Sequence, residues 1–454
     1  MFWLSMLAPG KNHGLNNGTM DFVTGIYWGD GGKGRVIDEL LAGYDMTGRA
    51  AGSDNAGHTV VVDGQEYITH SIPVGVLRPG MSTFMGNGVV WDLDRTQKEI
   101  SYLKGLGVSF DPIYVSGASH IMLHHYQALE AIRESGDAGV GSTKKAVSIS
   151  YEAKAARTGI RAEDLNYPER LKEAVRVAVE DAYPKLVAHR DLLRKRGFSV
   201  PRDPIAYADQ ITEHLLSSYD ELRSDIRITN TGNIIAARLR KGERFLGEGA
   251  QGAGLDIDHG TYPNVTSSNT TIGGMISGLG VGPIDDSRRI GVLKAYPTRV
   301  GNGPMPTLME PELDEYMRTK GNEFGATTGR ERRSGWPDMV QANHARDRNN
   351  LTDLVIPKID VLSGLPSIKI CTAYRLRDGS EVDFMPPQEE LERATPIYGV
   401  EIDGWDENIS GVTKLDDLPK QTLRYLDAIE DLTQTPIMLA TTGKERGQTV
   451  WLRT

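Results

Sequence analysis

The stretch Trp28-Gly29-Asp30-Gly31-Gly32-Lys33-Gly34 constrains this chain more than any other. It follows Phe22-Val23-Thr24-Gly25-Ile26-Tyr27, which reads as a strand, and precedes Arg35-Val36-Ile37-Asp38-Glu39-Leu40-Leu41, apolar at helical spacing. Strand, glycine turn and helix make a phosphate site: the glycines let backbone N–H groups reach an anion at the positive end of the helix, and Lys33 adds a full charge. Asp30 is the odd member. A carboxylate beside phosphates raises their repulsion unless it holds a metal ion or takes a proton, so its presence points to chemistry. Gly29, Gly31 and Gly34 also satisfy the dinucleotide pattern G-x-G-x-x-G, with Asp54 at the distance of a ribose-binding acid. Nucleotide phosphate binding, a dinucleotide site and a structural glycine turn therefore all stand at this loop. The lysine and aspartate favour the first, although the loop is not a Walker A sequence.

Beyond it, Val60-Val61-Val62, Asp63-Gly64 and Gln65 to His70 read as strand, turn and strand. Strands alternate with helical stretches such as Arg95 to Leu106, which predicts an α/β fold: a large central, mostly parallel sheet flanked by helices. From about residue 120 to 241 the texture becomes helical, with Ile121 to Glu134, Glu169 to Arg196 and Pro204 to Asp225 apolar at three- and four-residue spacing. We expect residues 1–19 to be a flexible tail and 20–454 a single domain containing that helical region. The net charge of −10, without a long Lys/Arg block, argues against nucleic acid as a partner, and no 18-residue apolar run suggests a membrane span. Cys371 is the only cysteine, so no intrachain disulfide forms and a reducing cytoplasm is the expected home.

Three polar stretches exceed what a core needs. Gly139 to Lys145 offers hydroxyls and paired lysines, which suit either a phosphate or plain solvent. Val265-Thr266-Ser267-Ser268-Asn269-Thr270-Thr271 is an array of donors for phosphate or ribose oxygens, or a surface loop. Phe324 to Arg333 combines hydroxyls, glycines and several guanidinium groups, a natural host for a carboxylate.

With these residues in view, the chain from about Thr24 onward resembles adenylosuccinate synthetases. The likeness rests on the first glycine loop, Asn55-Ala56-Gly57-His58-Thr59, Gly86-Asn87-Gly88-Val89-Val90, Glu248-Gly249-Ala250-Gln251-Gly252, Asp256 to Pro263, Leu293-Lys294-Ala295-Tyr296, Gly325 to Arg330, and Lys358-Ile359-Asp360-Val361-Leu362. It implies a P-loop-NTPase-like core and a ligase that joins L-aspartate to a 6-oxopurine nucleotide, normally IMP, while splitting GTP, with Mg2+. By the same matching, Asp30 is the base and a metal ligand, His58 donates to the developing oxyanion, and the Gly57 carbonyl is a second metal ligand. Gly29, Gly32, Lys33, Gly34, Lys358, Asp360, Thr441 and Gly443 match the GTP site. There Asp360 accepts two hydrogen bonds from the guanine N1–H and 2-amino group. Asn55, Gln251 and Thr266 match purine-nucleotide contacts, Arg157 reaches the nucleotide phosphate of a neighbouring subunit in a homodimer, and Thr327, Thr328, Arg330 and Arg332 match the aspartate loop.

The chain also departs from that pattern. A Thr-Thr-Gly-Arg-Gly-Ile-Gly-Pro phosphate loop is here Ser142-Thr143-Lys144-Lys145-Ala146-Val147-Ser148-Ile149, so Thr143, Lys144 and Lys145 are expected to take the 5′-phosphate. The usual glutamate of the first loop is Gly31, Gly-His before Asn55 is Ser53-Asp54, Pro-Ser-Gly is Pro73-Val74-Gly75, and a serine is Pro297. Because the changes gather around the purine nucleotide, a specialised relative acting on dGMP or an analogue is the first alternative. A nicotinamide dehydrogenase and a catalytically dead nucleotide-binding protein are the others.

Overall fold

The computed structural model describes residues 18–136, 144–283, 285–325 and 329–453. Ten strands form one sheet in the order Thr449–Trp451, Ile437–Thr441, Asp353–Ile356, Arg289–Val292, Met20–Gly25, Phe245–Glu248, Met46–Arg49, Ser82–Met85, Ile113–Ser116 and Ile226–Thr229. Neighbours run parallel throughout, except that Thr449–Trp451 runs against Ile437–Thr441. The central strand β1 (Met20–Gly25) is buried at every position, as a strand covered on both faces must be. On one face, α1 (Lys33–Leu40) packs Val36 and Ile37 among Val23, Leu246, Val292 and Val355. Another cluster joins Phe22, Phe84, Phe245, Met275 and Tyr296.

The expected hairpin is present as His58–Val62 and Gln65–Thr69, antiparallel, with Asp63 and Gly64 at φ 51° and 77° between them. Both turn residues are left-handed, which is why an Asp-Gly pair joins these strands so tightly. In the helical region, helices His124–Arg133, Pro168–Ala188, Arg190–Lys195 and Pro204–Leu222 enclose Leu171, Val175, Val179, Leu186, Ile211 and Leu215. The region is not wholly helical: Ile226–Thr229 leaves it to become the outermost sheet strand, beside Ile113–Ser116. Four residues are too few to show a period in the sequence.

The first strand starts at Met20, and just before it the Gly18 N–H donates to the Leu239 carbonyl at 3.1 Å, at the end of helix Thr231–Leu239, while Phe245 N–H donates to the Thr19 carbonyl at 2.8 Å. Residues 1–17 lie outside the described residues. Among the described residues no helix is long and apolar enough to cross a membrane.

Candidate functional site

Parallel strands send their following loops to one edge of the sheet, and that edge is where ligands bind in open α/β sheets. The loops after β1, Met46–Arg49, Phe245–Glu248, Asp353–Ile356 and Ile437–Thr441 bring Asp30 and Lys33, Asn55 and His58, Gln251, Lys358 and Asp360, and Gly443 to this edge. Thr441 is the last residue of its strand. Most of the residues singled out in the sequence thus converge, although they lie more than 400 positions apart in the chain.

In the first loop Gly29 and Gly32 take φ of 85° and 84°, and Gly32 caps α1. Left-handed backbone is free of cost only for glycine, which is the physical reason for the loop's composition. The buried Lys33 ammonium donates to the Gln251 carbonyl, tying this loop to the one after Phe245–Glu248. Burial pushes Lys33 down to about 8, against the pull of Asp30. Gly34 has another purpose: a side chain there would stand 2.7 Å from the His58 Cβ, so its absence lets the hairpin strand seat His58 against α1.

His58 is buried, and its Nδ1 lies 2.7 Å from Glu248 Oε1. Glu248, wholly buried, also accepts from Val74 N–H at 2.9 Å and from Arg49 at 3.3 Å. Burial would raise this carboxyl, but His58 and Arg49 outweigh it and hold Glu248 below the usual range. A carboxylate only accepts, so the His58 proton is assigned to Nδ1, leaving Nε2 facing outward as an acceptor. Burial pushes His58 down to about 4 in spite of Glu248. Glu248 was quoted in the sequence only as part of a motif. Its signal was an acid closing the otherwise apolar, fully buried strand Phe245–Glu248.

Asp30 accepts from Arg332 Nη2 at 3.0 Å, so the residue expected to be the base and one expected to bind aspartate touch. Arg332 Nη1 reaches Glu323 at 3.0 Å, and buried Glu323 also meets Lys294 at 2.8 Å, Lys358 at 2.6 Å and the Tyr296 hydroxyl at 2.6 Å. Burial alone would raise Glu323, but Lys294, Lys358 and Arg332 hold it well below the usual carboxylate range. This anchor was missed in the sequence because its members come from separate strands and loops. Arg330 is exposed, with its carbonyl accepting from Gly325 N–H at 2.8 Å. Thr327 and Thr328 lie outside the described residues, as does Thr143.

Among the residues expected at the purine nucleotide, Gln251 stands at φ 51° with both amide atoms buried and no partner among the described residues. Such orphaned atoms are costly unless a ligand satisfies them. Asn55 uses its Oδ1 to hold Ser53 N–H at 3.1 Å, Gly57 is half-buried just before His58, and Thr266 is half-buried. The hydroxyl array is partly internal: Thr270 Oγ1 donates to the Gly252 carbonyl at 2.9 Å. Arg157 ends helix Val147–Ala156 at φ 65°, exposed.

Lys145 does not present an open ammonium. It meets Asp54 Oδ2 at 2.7 Å, while Arg95 meets Asp54 Oδ1 at 2.8 Å. Two departures from the family pattern thus neutralise one another, and Asp54 is committed to two cations, which counts against the dinucleotide reading that needed it on a ribose. Lys144 and Ala146 take φ of 58° and 60°, at two of the three positions where the resembling loop carries glycine.

Among the residues expected at guanine, Lys358 N–H donates to Thr441 Oγ1 at 3.2 Å with Lys358 at φ 64°, and a side chain at Gly443 would collide with Gln448. Asp360 Oδ1 is buried without a partner among the described residues, and burial raises this carboxyl. It faces a cavity of about 400 Å3 lined also by Lys320, Ser363, Asp406, Asn408 and Ser410.

The comparisons agree with this geometry. A family model described as adenylosuccinate synthetase matches residues 22–450. An adenylosuccinate synthetase of Syntrophobacter fumaroxidans is 40% identical over 435 residues, 95% of this chain and 98% of the relative. The structure of a fully ligated adenylosuccinate synthetase from Plasmodium falciparum superposes with a TM-score of 0.84 at 33% identity, covering 95% of this chain and 99% of that one. A cyanophage S-2L succinoaminodeoxyadenylate synthetase, bound to dGMP and dATP, shares the fold at a TM-score of 0.61 and 19% identity, covering 96% of each chain.

Proposed function

Because the chain belongs to the adenylosuccinate synthetase family, we infer that it catalyses the GTP-dependent ligation of L-aspartate to IMP, forming a carbon–nitrogen bond in purine nucleotide synthesis. The observation that carries this reading is the meeting of Asp30, Lys33 and His58 at the entrance to α1, with Arg332 bonded to Asp30.

The chemistry follows from the groups present. The 6-oxygen of IMP is a poor leaving group, so it is first made nucleophilic: Asp30 takes the N1 proton, and the oxygen attacks the γ-phosphorus of GTP, releasing GDP. The amino group of aspartate then attacks C6 of the 6-phosphoryl nucleotide, and phosphate leaves. Arg332 and Arg330 orient the aspartate carboxylates. Gln251 satisfies its orphaned amide on the purine, with Asn55 and Thr266 beside it. Lys144 sits on the 5′-phosphate, and Lys145 reaches that anion only by leaving Asp54. Asp360 takes the guanine edge of GTP in the adjoining cavity, with Lys358, Thr441 and Gly443 shaping it, while Gly29, Gly32, Lys33 and Gly34 cradle the phosphates.

His58 needs a proton before it can donate from Nε2, since Nδ1–H is committed to Glu248. Incoming phosphates supply the negative potential that raises its affinity for that proton, and Glu248 steadies the resulting imidazolium. The Mg2+ that the family reading implies fits a hard-oxygen site. The second oxygen of Asp30 has no protein partner among the described residues, and the half-buried Gly57 lies next to His58. Asp30 and the Gly57 carbonyl would hold the ion, whose charge neutralises the phosphate oxygens. The exposed Arg157 reaches the nucleotide of a second copy in a homodimer, and the lone buried Cys371 suits a reducing cytoplasm.

Incubation of the purified chain with aspartate, GTP, Mg2+ and, in separate reactions, IMP, GMP or dGMP tests the reading. Product from IMP with the mass of nucleotide plus aspartate less water is expected. Product from dGMP alone would replace it with the specialised synthetase.

A further inference from the structure

Away from the sheet edge, three helices bring together donors that the reaction does not use. Asp94 lies in the first turn of helix Leu93–Gly105, His124 opens helix His124–Arg133, and His214 sits within helix Pro204–Leu222. Each offers one ligand atom, and these atoms all lie within 4.8 Å of one another. His214 Nε2 stands 2.8 Å from Asp94 Oδ2, and the His124 and His214 rings meet edge to face with centroids 5.9 Å apart. We propose that Asp94, His124 and His214 form a binding site for a divalent first-row transition ion, zinc in particular, that cross-links these three helices.

Three observations support the site. Two imidazoles and a carboxylate are a donor set for zinc, and the fourth position stays open to water because His214 and Asp94 are 46% and 39% exposed. Tetrahedral zinc with ligands at about 2.0–2.1 Å separates its donor atoms by roughly 3.3 Å. The present donor atoms lie within 4.8 Å of one another, so the ion would have to draw them together by rotation of these exposed side chains. The carboxylate is already oriented: Ser218 Oγ, one helical turn beyond His214, donates to Asp94 Oδ1 at 2.9 Å and leaves Oδ2 for the ion.

The test is titration of the untagged full chain with zinc in saturating Mg2+, so that the hard-oxygen site at Asp30 is filled. About one zinc per chain is expected to bind, with Co2+ in its place giving a tetrahedral visible spectrum. Either His124→Ala or His214→Ala should weaken binding about tenfold or more, and Ser218→Ala about tenfold through loss of the outer hydrogen bond. Zinc should raise the unfolding temperature of the wild type but not of the double histidine variant. Both histidines are surface residues, so circular dichroism should show an unchanged fold, and IMP ligation with Mg2+ should be unaltered. Equal zinc affinity, or equal thermal shifts, in the wild type and the double variant would overturn the proposal.

Discussion

Two loops enter helices with left-handed residues, and they do so by different means. The loop before α1 uses Gly29 and Gly32, which carry φ of 85° and 84° without strain. The loop before helix Val147–Ala156 takes the same handedness at Lys144 and Ala146, where a Cβ makes it costly. The second loop is held by its surroundings. Ala146 N–H donates to Glu130 at 2.7 Å, Ser148 Oγ reaches the same carboxylate at 3.3 Å, and Lys145 is pinned to Asp54. Backbone shape can therefore persist when the glycines that usually encode it are gone, provided that buried hydrogen bonds and ion pairs supply the difference.

The largest effect should fall on the glycine-built side. Asp30→Asn and His58→Ala are each expected to lower kcat by about 10²–10⁴-fold with the circular dichroism spectrum intact, because both act on phosphoryl transfer and neither supports the core. Near-normal turnover in either variant would remove the chemistry from this loop. Glu248→Gln should lower kcat by a smaller factor, since it acts on the reaction only through the orientation and charge of His58, and it should also lower stability because buried Arg49 loses its carboxylate partner.

The other loop predicts a different signature. Asp54→Ala leaves Lys145 and Arg95 facing each other in a partly buried site, and the pair Asp54→Ala with Lys145→Ala should show a coupling of about 0.5–3 kcal/mol in a denaturation cycle. Lys144→Ala should instead raise the Michaelis constant for IMP with those for GTP and aspartate little changed. Additive stabilities for Asp54 and Lys145 would mean that their contact does not hold the loop. If the IMP constant is unchanged even in the Lys144→Ala, Lys145→Ala double variant, the phosphate lies elsewhere.

Protonation separates the regions again. His58, lowered to about 4 by burial, is neutral in the ligand-free enzyme at neutral pH. Binding of GTP and IMP should therefore take up protons, up to about one per site, and affinity should weaken as pH rises through the pKa of His58 in the complex. Calorimetry in buffers of different ionisation enthalpy measures this, and buffer-independent heats would exclude it. For folding the sign is opposite to that of a stabilised charge. A histidine depressed from 6.5 contributes its full stability above about pH 6.5 and loses it as pH falls toward about 4. The smallest effect should be Ala146→Gly, which relieves left-handed strain at the price of a more flexible unfolded chain, for a net gain of about 0.5–1 kcal/mol in stability. A loss would show that Ala146 packs more favourably than its φ suggests.

Much of this molecule was legible in residue order. The buried run of β1, the Asp-Gly hairpin and the stripes of the long helices follow from periods of two and 3.6 residues, because a local backbone exposes its faces at those intervals. Asp30 and Lys33 stood out in the sequence because a glycine turn and a lysine at a helix start are local devices, whereas His58 was named only through the resemblance. Contacts that join distant segments were not. Nothing in the order of residues says that Asp54 closes on Lys145, that Glu248 holds His58, or that Glu323 gathers Lys294, Lys358 and Arg332. An ion pair depends on distance in space, and that distance exists only after parallel strands have brought their loops to one edge.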